Sequence, residues 1–341
     1  MDDRTAGAGT HSGEAMMKRH LPAMKKHLRN MRVHLLATVA YALALPAHAQ
    51  ERSVAITIDD VPNVHLYTAD GHSSRLLKKL DSLDLPVAIF INEGHLKQNQ
   101  DFEQNKMLLQ SWISKPYMTV GNHSYSHPNY GEIGFDAFSE DVLKGEELTR
   151  KMAEKAGKKL DYFRFPFNGM GKDSAEQVRM RAFLIEHQYI STPFTVESED
   201  WLFTQLYEKA LKEGKLEEAK AIGNRYVDLS LKLFDHFEGV ALKVVGKPIK
   251  QIYLCHDNRL NTDYLPVLVQ KLKEKQYRMI SLGEAMADPA YKLPLHYHGN
   301  WGFSWVYRWV KDAGERRSLM QREPSDKEAQ QAYEALTKGR K

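Results

Sequence analysis

The chain has 341 residues, of which 42% are hydrophobic and 27% charged, a balance that excludes disordered and fibrous classes. Residues 1–49 hold seven of the 48 basic residues and three of the 44 acidic ones, so the net charge of +4 comes entirely from this leader. The other residues carry equal numbers of both signs, which gives no support for a nucleic-acid partner.

The leader has the order of a secretory signal peptide. Basic residues at positions 25–32 precede an apolar run from Val33 to Leu45, and Ala47-His48-Ala49 follows as an A-x-A cleavage site. The apolar run is too short to form a permanent membrane span. We therefore expect an exported protein, periplasmic or secreted, whose mature chain begins near Gln50.

Seven short β-rich runs alternate with amphipathic helical patterns along the rest of the chain. The strands are predicted at 53–58, 86–91, 117–120, 162–165, 189–195, 249–255 and 277–282. Helices are predicted at 76–83, 107–114, 137–156, 174–186 and 264–275. Such alternation indicates parallel βα units, in a closed barrel or an open doubly wound sheet. Ligands bind at the carboxyl ends of the strands in both architectures.

Two segments do not fit a simple repeat of βα units. Two amphipathic helices at 204–212 and 216–237, broken at Gly214, form an insertion at about 203–248 that is expected to stand beside the site. From residue 291 the chain is aromatic and then charged, and its tail is expected to be a solvated helix. Trp301, Trp305 and Trp309 have the spacing of one helical face, which favours packing on the barrel over a sugar-stacking surface.

The first strand ends in two adjacent carboxylates, Asp59 and Asp60, which precede Pro62. Successive strand residues point to opposite sides, so the two carboxylates are expected to need different partners. Buried acids are costly unless each is paired with a cation, a metal or a proton. A turn after a strand would also explain this pair, so the stretch alone leaves both interpretations open.

Two histidines follow the third predicted strand. Residues 121–130 read GNHSYSHPNY, in which His123 and His127 would share one face of a helical turn. That spacing suits two imidazoles on one metal, and Asp60 would add a carboxylate. Three ligands with open positions are typical of a catalytic zinc site, whereas calcium prefers oxygen ligands throughout.

Three further motifs end predicted strands. Arg164, in RFPFNG, would face the carboxylates and hold one of them ionised. Residues 197–201 read ESEDW and place Asp200 beside Trp201, while IYLCHDN ends a strand in His256. A strand-end histidine is more often structural, but a carboxylate partner would orient it for acid/base catalysis.

The order TIDD, HSYSHP, RFPF, EDW and LCHD resembles the five motifs of the polysaccharide deacetylase family (carbohydrate esterase family 4, with a NodB-like domain) over about residues 53–285. The resemblance implies an α/β fold, a distorted (β/α)7 barrel of parallel strands, with the two-helix insertion between strands five and six. It implies a catalytic domain at 50–290 and a C-terminal extension at 291–341. It also implies metal-dependent removal of acetyl groups, usually N-acetyl, from a carbohydrate such as a cell-wall glycan.

The resemblance also implies a role for each matching residue. Asp59 matches the general base, Arg164 the arginine that holds it, His256 the general acid and Asp200 the carboxylate that orients this acid. The implied metal ligands, for one divalent ion that we expect to be zinc, are Asp60, His123 and His127. The implied acetyl pocket comprises Trp201 and Leu254, with the backbone N–H of Phe167 as oxyanion donor.

Two positions depart from the family pattern. Ile58 stands where the family usually has Phe, which is a tolerable exchange within a strand. The segment Phe167-Asn168-Gly169 is one residue longer than usual, so the groove wall is expected to differ there.

Other functions stay open on the sequence alone. The same scaffold could serve an O-acetyl esterase or a deformylase. A non-catalytic carbohydrate-binding protein is a further alternative, although a binder has no need of an acid/base pair.

We predict that the mature chain starts close to Gln50 and is found outside the cytoplasm, because the leader has the basic, apolar, A-x-A order of an export signal. N-terminal sequencing of the protein from its native host checks this. An intact leader on a cytosolic protein would contradict it.

Overall fold

The computed structural model describes residues 52–338, which contain eight strands and fourteen α-helices. The predicted signal peptide lies outside the described residues. Within the described part of the chain, no helix combines the length and apolar character needed to cross a membrane.

All strand pairs are parallel. The strands are β1 Ser53–Val61, β2 Val87–Ile91, β3 Met118–Asn122, β4 Tyr162–Phe163, β5 Ile190–Ser191, β6 Val196–Glu197, β7 Gln251–His256 and β8 Arg278–Met279. Seven of them lie in the order β5-β4-β3-β2-β1-β7-β6, and β8 pairs with the first residues of β1. The prediction of a distorted (β/α)7 barrel is confirmed.

Helices connect the strands and cover the sheet. They are α1 Val64–Ala69, α2 Arg75–Leu83, α3 Phe102–Ile113, α4 Tyr130–Ile133, α5 Phe135–Lys144, α6 Glu147–Lys155, α7 Ser174–Glu186, α8 Asp200–Lys212, α9 Leu216–Val245, α10 Arg259–Glu274, α11 Leu282–Met286, α12 Trp305–Arg308, α13 Ala313–Met320 and α14 Lys327–Thr337.

Strand β1 is central because it is buried on both faces. Val54, Ile56 and Ile58 pack into the main core on one side, and Ala55 packs with residues of β2 and β7 on the other. A strand with apolar residues at successive positions is typical of a parallel sheet covered on both faces. The carboxyl end of β1 therefore lies at the middle of the edge where the sheet presents its polar side chains.

The predicted fifth strand is two short strands, because the chain changes edge of the sheet at Pro193. Thr192 N donates to Phe163 O of β4 at 2.7 Å, whereas Thr195 N donates to Ile252 O of β7 at 2.8 Å. Residues 190–195 thus leave one edge and join the other. The two-helix insertion is present and consequently follows β6 rather than a single fifth strand.

The predicted helix at 137–156 is also two helices, α5 and α6, and they meet at Gly145. A Cβ atom at this position would lie 2.5 Å from the carbonyl carbon of Ser124 and 2.7 Å from Tyr125 N. The glycine allows the helix junction to pack directly on the loop that carries the two predicted histidine ligands.

The insertion stands beside the site only through its first turn. Helix α8 begins at Asp200, and α9, after the break at Gly214, packs against α8, α10 and the sheet with Leu233, Phe234 and Phe237 buried. No residue of α9 lines the main cavity described below. This long helix buries a broad apolar face and therefore forms part of the core.

The expectation of a single solvated C-terminal helix is wrong. The tail forms α13 and α14, and α14 packs on α8 with Ala329 buried. Arg225 of α9 pairs with Asp326 and Glu328 at the start of α14. The contacts draw the tail onto the barrel next to the first turn of the insertion.

Candidate active site

The two carboxylates at the end of β1 face the same cavity, contrary to the expected alternation. Ile58 pairs with Ile89 and Val61 with Ile91, so β1 has one more residue than β2 between these pairs. Asp60 occupies this irregularity with a φ of 61°. An extra residue in a strand re-aims its side chains, so both Asp59 and Asp60 approach one histidine, His123.

Asp59 is fixed by a buried ion pair. Arg164 Nη1 donates to Asp59 Oδ1 at 2.7 Å, and both side chains are buried. The same guanidinium donates to Thr57 Oγ1 at 2.7 Å and Pro193 O at 3.0 Å, and it lies 4.2 Å from the centre of the Phe90 ring. Removing one partner of such a pair costs about 3–5 kcal/mol, because the other charge stays buried and uncompensated.

The loop after β3 is irregular rather than helical, so the predicted reason for the histidine spacing is wrong. Ser124 and His127 both have positive φ values, 67° and 58°. Asp141 holds the loop through its carboxylate, which accepts from Tyr125 N at 2.9 Å and Ser126 N at 3.0 Å. The reversal of the chain nevertheless brings His127 next to His123, with ring centres 4.9 Å apart.

Asp60, His123 and His127 fit a divalent metal ion. Their ligand atoms all lie within 4.8 Å of one another. His123 Nδ1 bonds to Arg164 O at 2.8 Å, which leaves Nε2 as the free nitrogen, 3.7 Å from Asp60 Oδ1. Burial lowers the pKa of His123 to about 4, so its imidazole is neutral at physiological pH.

One oxygen of the Asp60 carboxylate makes no hydrogen bond within the described part of the chain. Asp60 Oδ1 is buried without a hydrogen-bond partner among the described residues, and His127 Nε2 lies 3.5 Å from it. Burial raises the pKa of Asp60, but the attraction of His256, His127 and His123 outweighs this and lowers it. An ionised oxygen beside two imidazole nitrogens matches the donor chemistry of zinc and similar ions.

His256 and Asp200 form a second pair, in which Asp200 is fully buried and His256 is partly buried. His256 Nδ1 bonds to Asp200 Oδ1 at 2.7 Å, and Asp200 Oδ2 accepts from His256 N at 2.8 Å and Asn258 Nδ2 at 2.9 Å. Asn261 Nδ2 donates to the same oxygen. Burial alone would lower the pKa of His256, but the Asp200 charge and hydrogen bond raise it to about 10.

A cavity of about 500 Å³ opens in front of these groups. The predicted site residues that line it are Asp59, Asp60, His123, His127, Phe167, Trp201, Leu254 and His256. The other two, Arg164 and Asp200, lie directly behind Asp59 and His256 through the contacts given above. The structure therefore brings all ten predicted site residues together.

Sequence reasoning missed Glu197, which also lines the cavity. Its Oε1 accepts from Glu199 N at 2.7 Å. Burial, and then the nearby charge of Asp200, raise its pKa to about 8, so this carboxyl carries a proton near neutrality and can donate a hydrogen bond. Glu197 stands three residues before Asp200 in ESEDW, but an acid at a strand end gives no sign of its protonation state.

Gly302 of the C-terminal extension, with Phe194 and Asn168, completes the lining of the cavity. Neither Phe194 nor Gly302 belongs to a recognisable motif. Residues 167–169, where the groove wall is expected to differ from the family, include two left-handed residues, since φ is 54° at Phe167 and 50° at Asn168.

Comparisons with known proteins identify a family to which the chain is similar. Residues 47–183 match the family model for polysaccharide deacetylase, which confirms the family resemblance over this segment. A peptidoglycan-N-acetylglucosamine deacetylase of Bacillus cereus is 25% identical over 161 residues, 47% of this chain. That match spans 50% of the length of the relative.

Two solved structures are also similar. A family 4 carbohydrate esterase from Streptomyces lividans in complex with acetate is 21% identical, with a TM-score of 0.44 over 69% of this chain and 95% of that one. A CE4 family pseudoenzyme from Bacillus anthracis is 22% identical, with a TM-score of 0.42 over 70% of this chain and 66% of that one.

We predict that His127→Ala removes the bound metal, because two protein donors remain where three converge. Metal content after dialysis, measured by atomic emission, checks this. His65→Ala is the matched control, since His65 is exposed on α1 and does not line the cavity. Undiminished metal in His127→Ala would show that other residues hold it.

Proposed function

We propose that this chain is a metal-dependent hydrolase that removes acetyl groups, and N-acetyl groups in particular, from a carbohydrate polymer or oligomer. The supporting observation is the arrangement around one cavity of a carboxylate held by arginine, an imidazole held by carboxylate, and three converging metal donors. An exported location agrees with a cell-wall glycan as the substrate.

Asp60, His123 and His127 would hold the metal ion, for which zinc is our proposal. Bound there, a divalent ion would polarise the acyl oxygen and favour ionisation of the attacking water. The protein groups around the ion supply the remaining chemistry.

Asp59 is the proposed general base. Arg164 fixes one of its oxygens at 2.7 Å, and the other, Oδ2, lies 3.7 Å from His123 Nε2 at the edge of the metal donors. A water between this oxygen and the acyl carbon would pass its proton to Asp59 as it attacks. The buried arginine prevents the carboxylate from turning away.

His256 is the proposed general acid. Asp59 and His256 are register partners on β1 and β7, and adjacent strands lie about 4.8 Å apart. Base and acid therefore flank the same space. Nδ1 of His256 is hydrogen-bonded to Asp200, so Nε2 is the nitrogen that can donate its proton to the leaving sugar amine.

The remaining lining residues would bind the acyl group. Leu254 and Trp201 offer apolar surface beside His256, as expected for a pocket that receives a methyl group. The backbone N–H of Phe167 is the proposed oxyanion donor, on the far side of the cavity beside His127.

We predict that Asp59→Asn lowers turnover by about 10²–10⁴-fold, the usual contribution of a general base. The metal content should not change, because Asp60, His123 and His127 remain. Acetate release from peptidoglycan, chitin oligomers and acetylxylan measures the activity, and thermal unfolding checks the fold. Asp263→Asn, in a surface ion pair with Arg75, is the control.

The same screen separates the alternatives. Release from esters alone would indicate an O-acetyl esterase, and release of formate would indicate a deformylase. Glycan binding without release of any acyl group would indicate a carbohydrate-binding protein. Full activity in Asp59→Asn would show that the base has been assigned to the wrong aspartate.

We predict that Asp200→Asn moves the alkaline limb of the rate–pH profile to lower pH. The acid must be protonated, so the rate falls as the pH rises through the pKa of His256, which is raised to about 10. Asn keeps the shape but removes the charge that raises this pKa, while burial continues to lower it. The limb should move toward about 6.5 or below, the ordinary range of histidine.

The measurement is kcat as a function of pH for the wild type, Asp200→Asn and Asp263→Asn. The control should keep the profile of the wild type. An alkaline limb that stays in place in Asp200→Asn would mean that a group other than His256 sets it.

A further inference from the structure

A second cavity, of about 460 Å³, adjoins the active-site cavity. Phe167 and Gly302 line both cavities, so the two are neighbours across these residues. The other lining residues of the second cavity are Asn129, Glu132, Asn300, Trp301, Phe303 and Met320. Most of them belong to the C-terminal extension.

The C-terminal extension packs closely against the loop that carries Phe167. A Cβ atom at Gly302 would lie 1.7 Å from Phe167 O, so only glycine permits this approach. Arg308 Nη2 donates to Asn168 O at 3.0 Å and to Trp301 O at 2.8 Å. This guanidinium is fully buried and lies 5.3 Å from the centre of the Trp305 ring. The backbone of Trp301 is thus held in place beside the catalytic wall.

The three tryptophans of the extension differ sharply in exposure. Trp305 and Trp309 are 8% and 5% exposed and pack into the core, as the predicted aromatic stripe would. Trp301 precedes the helix, which covers only Trp305–Arg308, and it is 70% exposed. A large aromatic side chain left in water at the rim of a functional cavity is a typical feature of a binding surface.

Polar groups stand around this exposed ring. Glu132 is exposed at the end of α4, and its Oε1 accepts from Asn129 Nδ2 at 3.3 Å. Phe303 and Met320 provide apolar floor, and Phe167 is a second exposed aromatic side chain. A pyranose ring has the matching character, with an apolar C–H face and a rim of hydroxyl groups. The aromatic face and the few polar groups suit such a ligand.

We infer that the second cavity is a saccharide-binding subsite of the same enzyme. Trp301 stacks on the sugar unit next to the one that carries the acetyl group, and Glu132 and Asn129 bond to its hydroxyls. The inference rests on the proposed function and adds to it a preference for oligomers over single sugars. The extension therefore determines which lengths of glycan are good substrates.

The test compares Trp301→Ala with Trp301→Phe, which keeps an aromatic face. Ile185→Ala is the control, because Ile185 is an exposed apolar residue on α7 that lines neither cavity. Acetate release is measured on N-acetylglucosamine and on chitin oligomers of increasing length. Trp301→Ala should lower kcat/KM on oligomers about tenfold, mainly through KM, and leave the monomer unchanged. Trp301→Phe should keep most of the oligomer activity.

An equal loss on monomer and oligomers, or no loss on either, would overturn the subsite while the proposed function stands. If the wild type releases no acetate from these oligomers, from peptidoglycan or from acetylxylan, the proposed function fails instead. Binding of the same oligomers, measured by calorimetry, then tests the subsite independently of activity. Weaker oligomer binding by Trp301→Ala would support the subsite, and equal binding by wild type and variant would overturn it.

Discussion

Two consecutive carboxylates at the end of a buried strand can serve one site only if the strand is irregular there. In a regular strand Asp60 would point away from Asp59. The extra residue in β1 and the positive φ of Asp60 turn both side chains toward His123. Asp59 then pairs with Arg164, and Asp60 lies beside the two imidazoles. The proposed division of roles, with Asp59 as base and Asp60 as metal ligand, depends on this one backbone feature.

The buried charges around the cavity are compensated in three different ways. Asp59 has Arg164, and Asp200 has His256 together with the side-chain amides of Asn258 and Asn261. Glu197 forms no ion pair among the described residues, and burial raises its pKa to about 8, so it is neutral near physiological pH. Asp60 has the neutral imidazole of His123 beside it and a buried oxygen without a hydrogen-bond partner among the described residues. The charge of Asp60 is therefore not fully compensated, and a divalent cation at this position would complete the compensation.

Strand periodicity predicted parallel βα units, whereas the distorted barrel and the ten site residues were implied by the resemblance of five strand-end motifs to a known family. The ten residues lie together because parallel strands bring their carboxyl ends to one edge. The details depended on tertiary contacts that periodicity does not report. The histidine pairing arises from a loop held by Asp141, not from a helical turn. Strand five divides because the chain crosses between sheet edges at Pro193. Arg308 is fully buried, although arginine is rarely so, and no motif of the sequence indicates its burial.

The C-terminal extension contacts the site on both sides, although its sequence carries no catalytic motif. On one side Arg308 donates to Asn168 O and Gly302 packs against Phe167 O, so both contact the left-handed Phe167-Asn168 segment. On the other side Tyr333 packs edge-on against Trp201 at 5.4 Å, and Gln330 bonds to Glu199, the residue that precedes α8. Phe167 and Trp201 are the two exposed aromatic residues of the cavity lining. The extension therefore supports the apolar walls of the cavity, while the barrel contributes the polar groups within it.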